Sequence, residues 1–141
     1  VALFPDGRIA VADMLNARVQ LFDGDFRLLR AMGRPGNHLG DLGKPRHLAV
    51  GPDGTIFVAD AELACVHLFD DRGRLLMVLG GSNDEPGGTP MPVGLAVASR
   101  VPEPVRSLVP ADFSPAYFLF VSNSTGSKRL SVYAVGRRRS P

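Results

Sequence analysis

An all-β fold built from a repeated unit is what this sequence predicts, and three observations predict it. The stretch FPDGRIAVAD (residues 4–13) returns as GPDGTIFVAD (residues 51–60), a shift of 47 residues that carries Asp13 onto Asp60. About half of residues 4–33 are identical at that shift, far above chance. Sixteen glycines and twelve prolines are scattered among short alternating apolar stretches, the pattern of a chain that reverses often between strands.

Each unit resolves into four short strands. In the second copy HLAVG (47–51) is the first. The turn PDG follows, with Pro presetting φ and Gly accepting a positive one. TIFVAD (55–60) and CVHLFD (65–70) are the second and third strands, the latter with Val66 and Leu68 on one face. After the turn DRG, RLLMVLG (74–80) is the fourth. The same shift carries Ile9, Val11, Val19, Phe22 and Gly33 onto Ile56, Val58, Val66, Phe69 and Gly80, and PRHLAV (45–50) onto PVGLAV (92–97), where a third copy begins. That copy is stretched. FVSN (120–123) matches FVAD (57–60) only at a shift of 63, so residues 99–115 read as an insertion between its first and second strands. RLSVYAV (129–135) stands as its third strand, and no fourth follows.

Four antiparallel strands every 40 to 50 residues is the signature of a β-propeller blade. The expectation is therefore about three four-stranded antiparallel blades, roughly residues 1–33, 43–80 and 90–136, followed by a basic tail at 137–141 that is expected to be disordered. Closed propellers typically have about 4–8 blades, so the chain is expected to be the C-terminal half of a longer ring. A complete three-bladed protein, or two copies pairing to close six blades, are the alternatives. Ile9, Val11, Val19, Leu21, Ile56, Val58, Val66, Leu68, Leu95 and Val97 are expected to pack between blades. Raw apolar faces at the two ends imply self-association through the open blades.

The composition is globular, with 45% hydrophobic and 21% charged residues. Much of the net charge of +2 sits in GRRRSP (136–141), so the body is nearly neutral and nucleic acid is not an expected partner. The single Cys65 excludes an intrachain disulfide. No apolar run approaches the roughly 18 residues of a membrane span.

The unit IFVADAELACVHLFDDRGRLLMVLG (56–80) resembles the NHL repeat, a blade of six-bladed β-propellers. The pattern is a Pro before an AV strand, then P-D-G, V-A-D, a polar turn, V-x-L-F-D and a closing Gly. The family's N-x-R after V-A-D survives at Asn16 and Arg18 and is lost at Leu63 and Cys65. The ending YFLFVSNSTGSKRLSVYAVG (117–136) is similar to the last blade of exported bacterial members. The resemblance implies a non-catalytic scaffold for a protein partner, in a periplasmic or extracellular setting, with no cofactor. It leaves two alternatives: a propeller enzyme (a metal-dependent lyase or lactonase-like hydrolase), or an RNA-binding domain.

Asp13, Asp60 and Asn123 end the second strands. They read as side chains that hold the next turn through backbone N–H groups, since Asn123 can do this and carries no charge. The recurrence of Asp6 with Asp53, and of Asp23 with Asp70, likewise argues turn structure. His67 alternates with Val66 and Leu68 and reads as a sheet-face residue; Cys65 reads as a small strand residue with no base arranged to activate it. The candidate binding face gathers Arg18, Arg34, Arg46, His47, Lys128 and Arg129, with Asp13, Asp41, Asp60, Asp84 and Glu85 interspersed. Interleaved aromatics that would stack bases are absent there. The insertion is the second candidate: Val105, Leu108 and Phe113 on a proline-stiffened loop form either a docking site or a lid under the ring. No catalytic or metal-ligating set is expected.

Overall fold

The computed structural model describes residues 1–82, 85–127 and 129–139. Lys128 and Asp84 lie outside the described residues, as does 140–141. The chain forms three antiparallel sheets that follow one another along the sequence. The first holds β1 (Ala2–Leu3), β2 (Ile9–Asp13), β3 (Arg18–Phe22) and β4 (Leu28–Met32), with a 3₁₀ turn at Met14–Asn16. The second holds β5 (Pro45–Val50), β6 (Ile56–Asp60), β7 (Cys65–Phe69) and β8 (Leu75–Gly80). The third holds β9 (Pro92–Ala98), β10 (Phe113–Asn123) and β11 (Leu130–Arg138). In each sheet the strands pair in chain order, and each sheet is open at both edges. In the first two sheets the expected strands fall within two residues of these.

The turns explain the repeated letters. Gly7, Gly54 and Gly73 each donate a backbone N–H to the residue three places earlier, Phe4, Gly51 and Asp70, at 3.0 Å. All three glycines have φ between 79° and 89°, the left-handed region that a Cβ disfavours. The fourth such turn, between β3 and β4, departs from the rule. Phe26 donates to Asp23 at 3.1 Å and carries φ 62° where Gly73 stands one repeat later.

Two apolar layers join the sheets. Ala10, Val19, Leu21 and Met32 of the first sheet meet Leu48, Ile56, Val58 and Phe69 of the second. Alternate residues of the second sheet, Ala49, Phe57, Ala59, Val66 and Leu68, meet Leu95, Tyr117, Leu119 and Val121 of the third. Every residue of β6 and β7 is therefore buried. The leading strands touch one another in order, β1 against β5 and β5 against β9.

Several expectations need correction. Ile9 and Val11 are not between sheets: they alternate with the buried Ala10 and lie, half-buried, on the outward face of the first sheet. His67 is not on an open sheet face: it is 3% exposed, because β7 is covered on both sides. The insertion contains a short helix, α1 (Glu103–Arg106), and its end is strand, since β10 starts at Phe113. Phe113 and Ser114 pair with Arg138 and Arg137, so β11 runs past Gly136 and Arg137 and Arg138 belong to the sheet. A bulge between Pro115 and Tyr117 accommodates the proline, which has no N–H to donate. Gly136 fits there because a Cβ would stand 2.1 Å from the Ser114 carbonyl oxygen.

Phe26 is 77% exposed, so its side chain contributes little packing and its backbone carries the cost. A left-handed conformation costs a residue with a Cβ roughly 1–2 kcal/mol. Replacing Phe26→Gly is expected to raise stability by about 1 kcal/mol, read as a higher urea midpoint. A lower midpoint would show that the turn is not the one described.

Candidate functional site

The most concentrated polar chemistry sits where β6 ends. Asp60 is wholly buried, and its carboxylate accepts four backbone N–H groups. Oδ2 takes Gly43 at 2.7 Å, and Oδ1 takes Lys44 at 2.9 Å and Glu62 and Leu63 at 3.1 Å. Two donors belong to the turn that follows β6 and two to the segment that enters β5, so one side chain pins both. Gly43 is required for this approach: a Cβ there would stand 2.9 Å from the Glu62 Cβ and 3.2 Å from Asp60 Oδ1. The turn-holding role read for Asp60 is thus what the geometry shows, extended to a second segment.

Cys65 and His67 share the Asp60 face of the sheet. His67 Nε2 is 3.7 Å from Asp60 Oδ2 and 3.3 Å from Cys65 Sγ, and its ring stacks on Phe69 with centroids 6.0 Å apart. Its Nδ1 is buried with no partner among the described residues. Burial pushes the imidazole pKa down, partly offset by the Asp60 charge. Burial, reinforced by Asp60, pushes the Cys65 thiol up to about 12. A base does lie beside Cys65, then, which the sequence did not reveal. The thiol still stays protonated at neutral pH, and a protonated, buried thiol is a poor nucleophile. The trio is a packed polar knot between sheets.

The equivalent position in the first sheet is looser. Asp13 accepts Asn16 Nδ2 at 2.9 Å and Arg18 Nε at 2.8 Å, which hold its carboxyl below the usual range. Asn123 donates Nδ2 to Ser131 Oγ at 3.4 Å, and its backbone N–H bonds Arg129 O at 2.9 Å. Among the described residues no three His, Cys, Asp or Glu side chains gather with metal-ligand spacing.

The candidate basic face is largely engaged locally. Arg18 is spent on Asp13. Arg34 Nε donates to Asp41 Oδ1 at 2.7 Å, and Asp41 is 4% exposed and also takes the His38 N–H. Arg129 donates to the Ser124 carbonyl at 2.6 Å. Arg46 is exposed on β5. His47, next to it, accepts the Leu95 N–H on Nδ1 at 3.3 Å, and burial pushes its pKa down; it edges a small groove with Gly94, Ala96, Phe120 and Leu130.

The insertion is the more open feature. Val105, Leu108, Val109 and Pro110 close over Phe118, Val132 and Ala134 on the outward face of the third sheet, leaving an apolar groove of about 230 Å³. Leu108 is 81% exposed at its lip. Phe113 does not join Val105 and Leu108 there, because it has become part of β10 and lines a separate hollow with Pro110, Asp112, Ala134 and Arg138.

Three contacts between sheets escaped the sequence. Tyr117 donates its hydroxyl to the Asp53 carboxylate, 3.0 Å from each oxygen, and burial together with that charge pushes its pKa to about 12. Arg8 bridges to Asp71 at 3.1 Å. Thr89 donates to the Ala64 carbonyl at 3.0 Å. All join residues 25 to 64 positions apart, and no local pattern marks such pairs.

No family model matches the chain, and no curated protein matches it.

Asp60→Ala is expected to cost about 3 kcal/mol or more, since it orphans several buried N–H groups that bond a charge. Asp13→Ala, at the half-exposed counterpart, should cost a small fraction of that. Chemical denaturation of both proteins checks it; equal losses would contradict the hub role of Asp60.

Proposed function

We propose that the three sheets are blades of an NHL-type β-propeller, and that the protein is a non-catalytic scaffold that binds a protein partner outside the cytoplasm. The propeller reading is supported by two four-stranded sheets followed by a three-stranded one, stacked face to face with their leading strands in contact. The setting outside the cytoplasm follows from the family resemblance alone.

One observation carries the binding reading. The polar side chains that recur in the repeat are consumed in holding turns, while the individual feature of the chain, the 99–115 insertion, presents apolar surface around an open groove. Exposed apolar surface beside a groove is what a docking partner would cover. RNA binding is disfavoured by the pairing of Arg18 and Arg34 with carboxylates, which removes the open cationic track that phosphates need.

The test places a photo-activated cross-linking residue at Leu108 and, in a second protein, at Arg72 on the β7–β8 turn. Both proteins are irradiated in extracts of the source cells. A discrete protein adduct from Leu108, absent from Arg72 and lost in Val105→Asp, is expected. Equal labelling at both positions, or adducts with nucleic acid only, would sink the proposal.

A further inference from the structure

The third sheet reaches further than its neighbour. The second sheet closes at the turn 51–54, and Tyr117 is level with that turn: its hydroxyl bonds Asp53, and a Cβ on Gly51 would stand 2.8 Å from it. β10 and β11 continue beyond Tyr117 through the pairs Phe113 with Arg138, Ser114 with Arg137 and Pro115 with Gly136. This extension overhangs the turn. It leaves a cleft of about 620 Å³ between Pro52 and Asp53 on one side and Ser114, Pro115, Val135 and Arg137 on the other. Pockets of about 300–1,000 Å³ take drug-sized ligands, so the cleft suits a molecule the size of a short peptide rather than an ion.

Both charges in the cleft are unspent. In the first sheet Asp6 has Arg8 as its partner, Nε to Oδ2 at 2.8 Å. One repeat on, Thr55 stands where Arg8 does. The Asp53 carboxylate therefore takes the Thr55 N–H and the Tyr117 hydroxyl, each at 3.0 Å, and has no cation among the described residues. These neutral donors leave lone pairs open on a group that can accept about four bonds. Across the cleft, Val135 packs against the layer between the sheets, and Arg137, two residues on, shares its face. Arg137 is exposed, and its guanidinium meets no carboxylate among the described residues. Asp53 and Arg137 thus line one cleft without pairing. The backbone beside them is open as well. The bulge leaves Ala116 outside the register with β11, and pairing with β9 starts only at Phe118. Such a strand edge can bond the amide groups of a peptide.

We propose that this cleft binds a short peptide with both termini free, its ammonium at Asp53 and its carboxylate at Arg137. Opposite, unpaired charges select a zwitterion, and the open edge of β10 gives its amide groups partners. Pro52, Pro115 and Val135 give a small side chain an apolar wall. A guanidinium holds a carboxylate through two parallel bonds, and the ammonium supplies the counterion that Thr55 withholds from Asp53. Recognition through the termini tolerates any small apolar side chain between them. The site needs only the joint between the second and third sheets, so it stands apart from the blade reading and from docking at the insertion.

Isothermal titration calorimetry of the intact chain with the tripeptide Ala-Val-Ala at low salt tests this. Saturable binding at one site is expected. Acetylating the amine or amidating the carboxylate should each weaken it about tenfold or more, the loss of one charged contact. Arg137→Ala should weaken the free peptide to the same extent and leave the affinity of the amidated peptide unchanged, because that peptide has no carboxylate for Arg137 to hold. The Arg137 side chain is exposed, so this variant keeps the fold, which a cooperative melt confirms. No binding of Ala-Val-Ala, capped peptides that bind as well as the free one, or an Arg137→Ala protein that binds it undiminished would overturn the inference.

Discussion

Burial of both faces of β6 and β7 is the constraint on which the rest of the structure depends. A strand covered on one side can send polar residues to water; these two cannot. Their ten residues are all buried, and three of them, Asp60, Cys65 and His67, are neither aliphatic nor aromatic hydrocarbon. A buried carboxylate survives only when its lone pairs are filled. Asp60 meets that condition with four backbone donors and thereby fixes the entry to β5 and the exit from β6 at once. Stacking on Phe69 and contact with Cys65 house the neutral His67 beside it. The same burial that assembles the trio removes its reactivity, since it favours the thiol and the uncharged ring.

The joints between sheets follow one plan with local substitutions. Gly33 and Gly80 occupy corresponding places at the ends of the first two sheets, each with a positive φ. In both cases the next segment presses against the glycine: Leu42 lies 2.5 Å from where a Cβ of Gly33 would stand, and Thr89 fills the same space at Gly80. Leu42 contributes apolar burial, while Thr89 adds its bond to the Ala64 carbonyl. Polar cross-links, Arg8 to Asp71 and Tyr117 to Asp53, tie the turn side of each sheet to its neighbour. The apolar layers supply attraction without direction, and these bonds supply the direction.

Much of this was legible in the sequence, and what was not has a physical reason. Identity at a fixed shift located the strands of the first two sheets, and Pro-Asp-Gly located their turns, because both are local properties. Asp60 was readable as a turn holder for the same reason; its reach back to Gly43 and Lys44 was not, since it spans 16 to 17 positions. Alternation told which residues share a face but not which face has a neighbour, so Ile9 and Val11 were assigned to a joint and His67 to an open surface. The third sheet was the least legible. Its insertion breaks the shift, and without a repeat to follow, neither the bulge at Pro115 nor the continuation of β11 through Arg137 and Arg138 had a signal. Among the candidate site residues, Arg34 lies on a loop and Arg18 opens β3; the carboxylates that neutralise them lie five and seven positions away and were read only as dilution of the charge.

Amide hydrogen exchange on the intact chain, resolved residue by residue, tests the central claim most directly. Protection follows the free energy needed to open a segment. If the second sheet is the keystone, the amides of β6 and β7 exchange slowest, near the rate set by global unfolding, while those of β4, β8 and β11 exchange at least tenfold faster. Uniform protection across the three sheets, or β6 and β7 exchanging as fast as β4, would contradict the account.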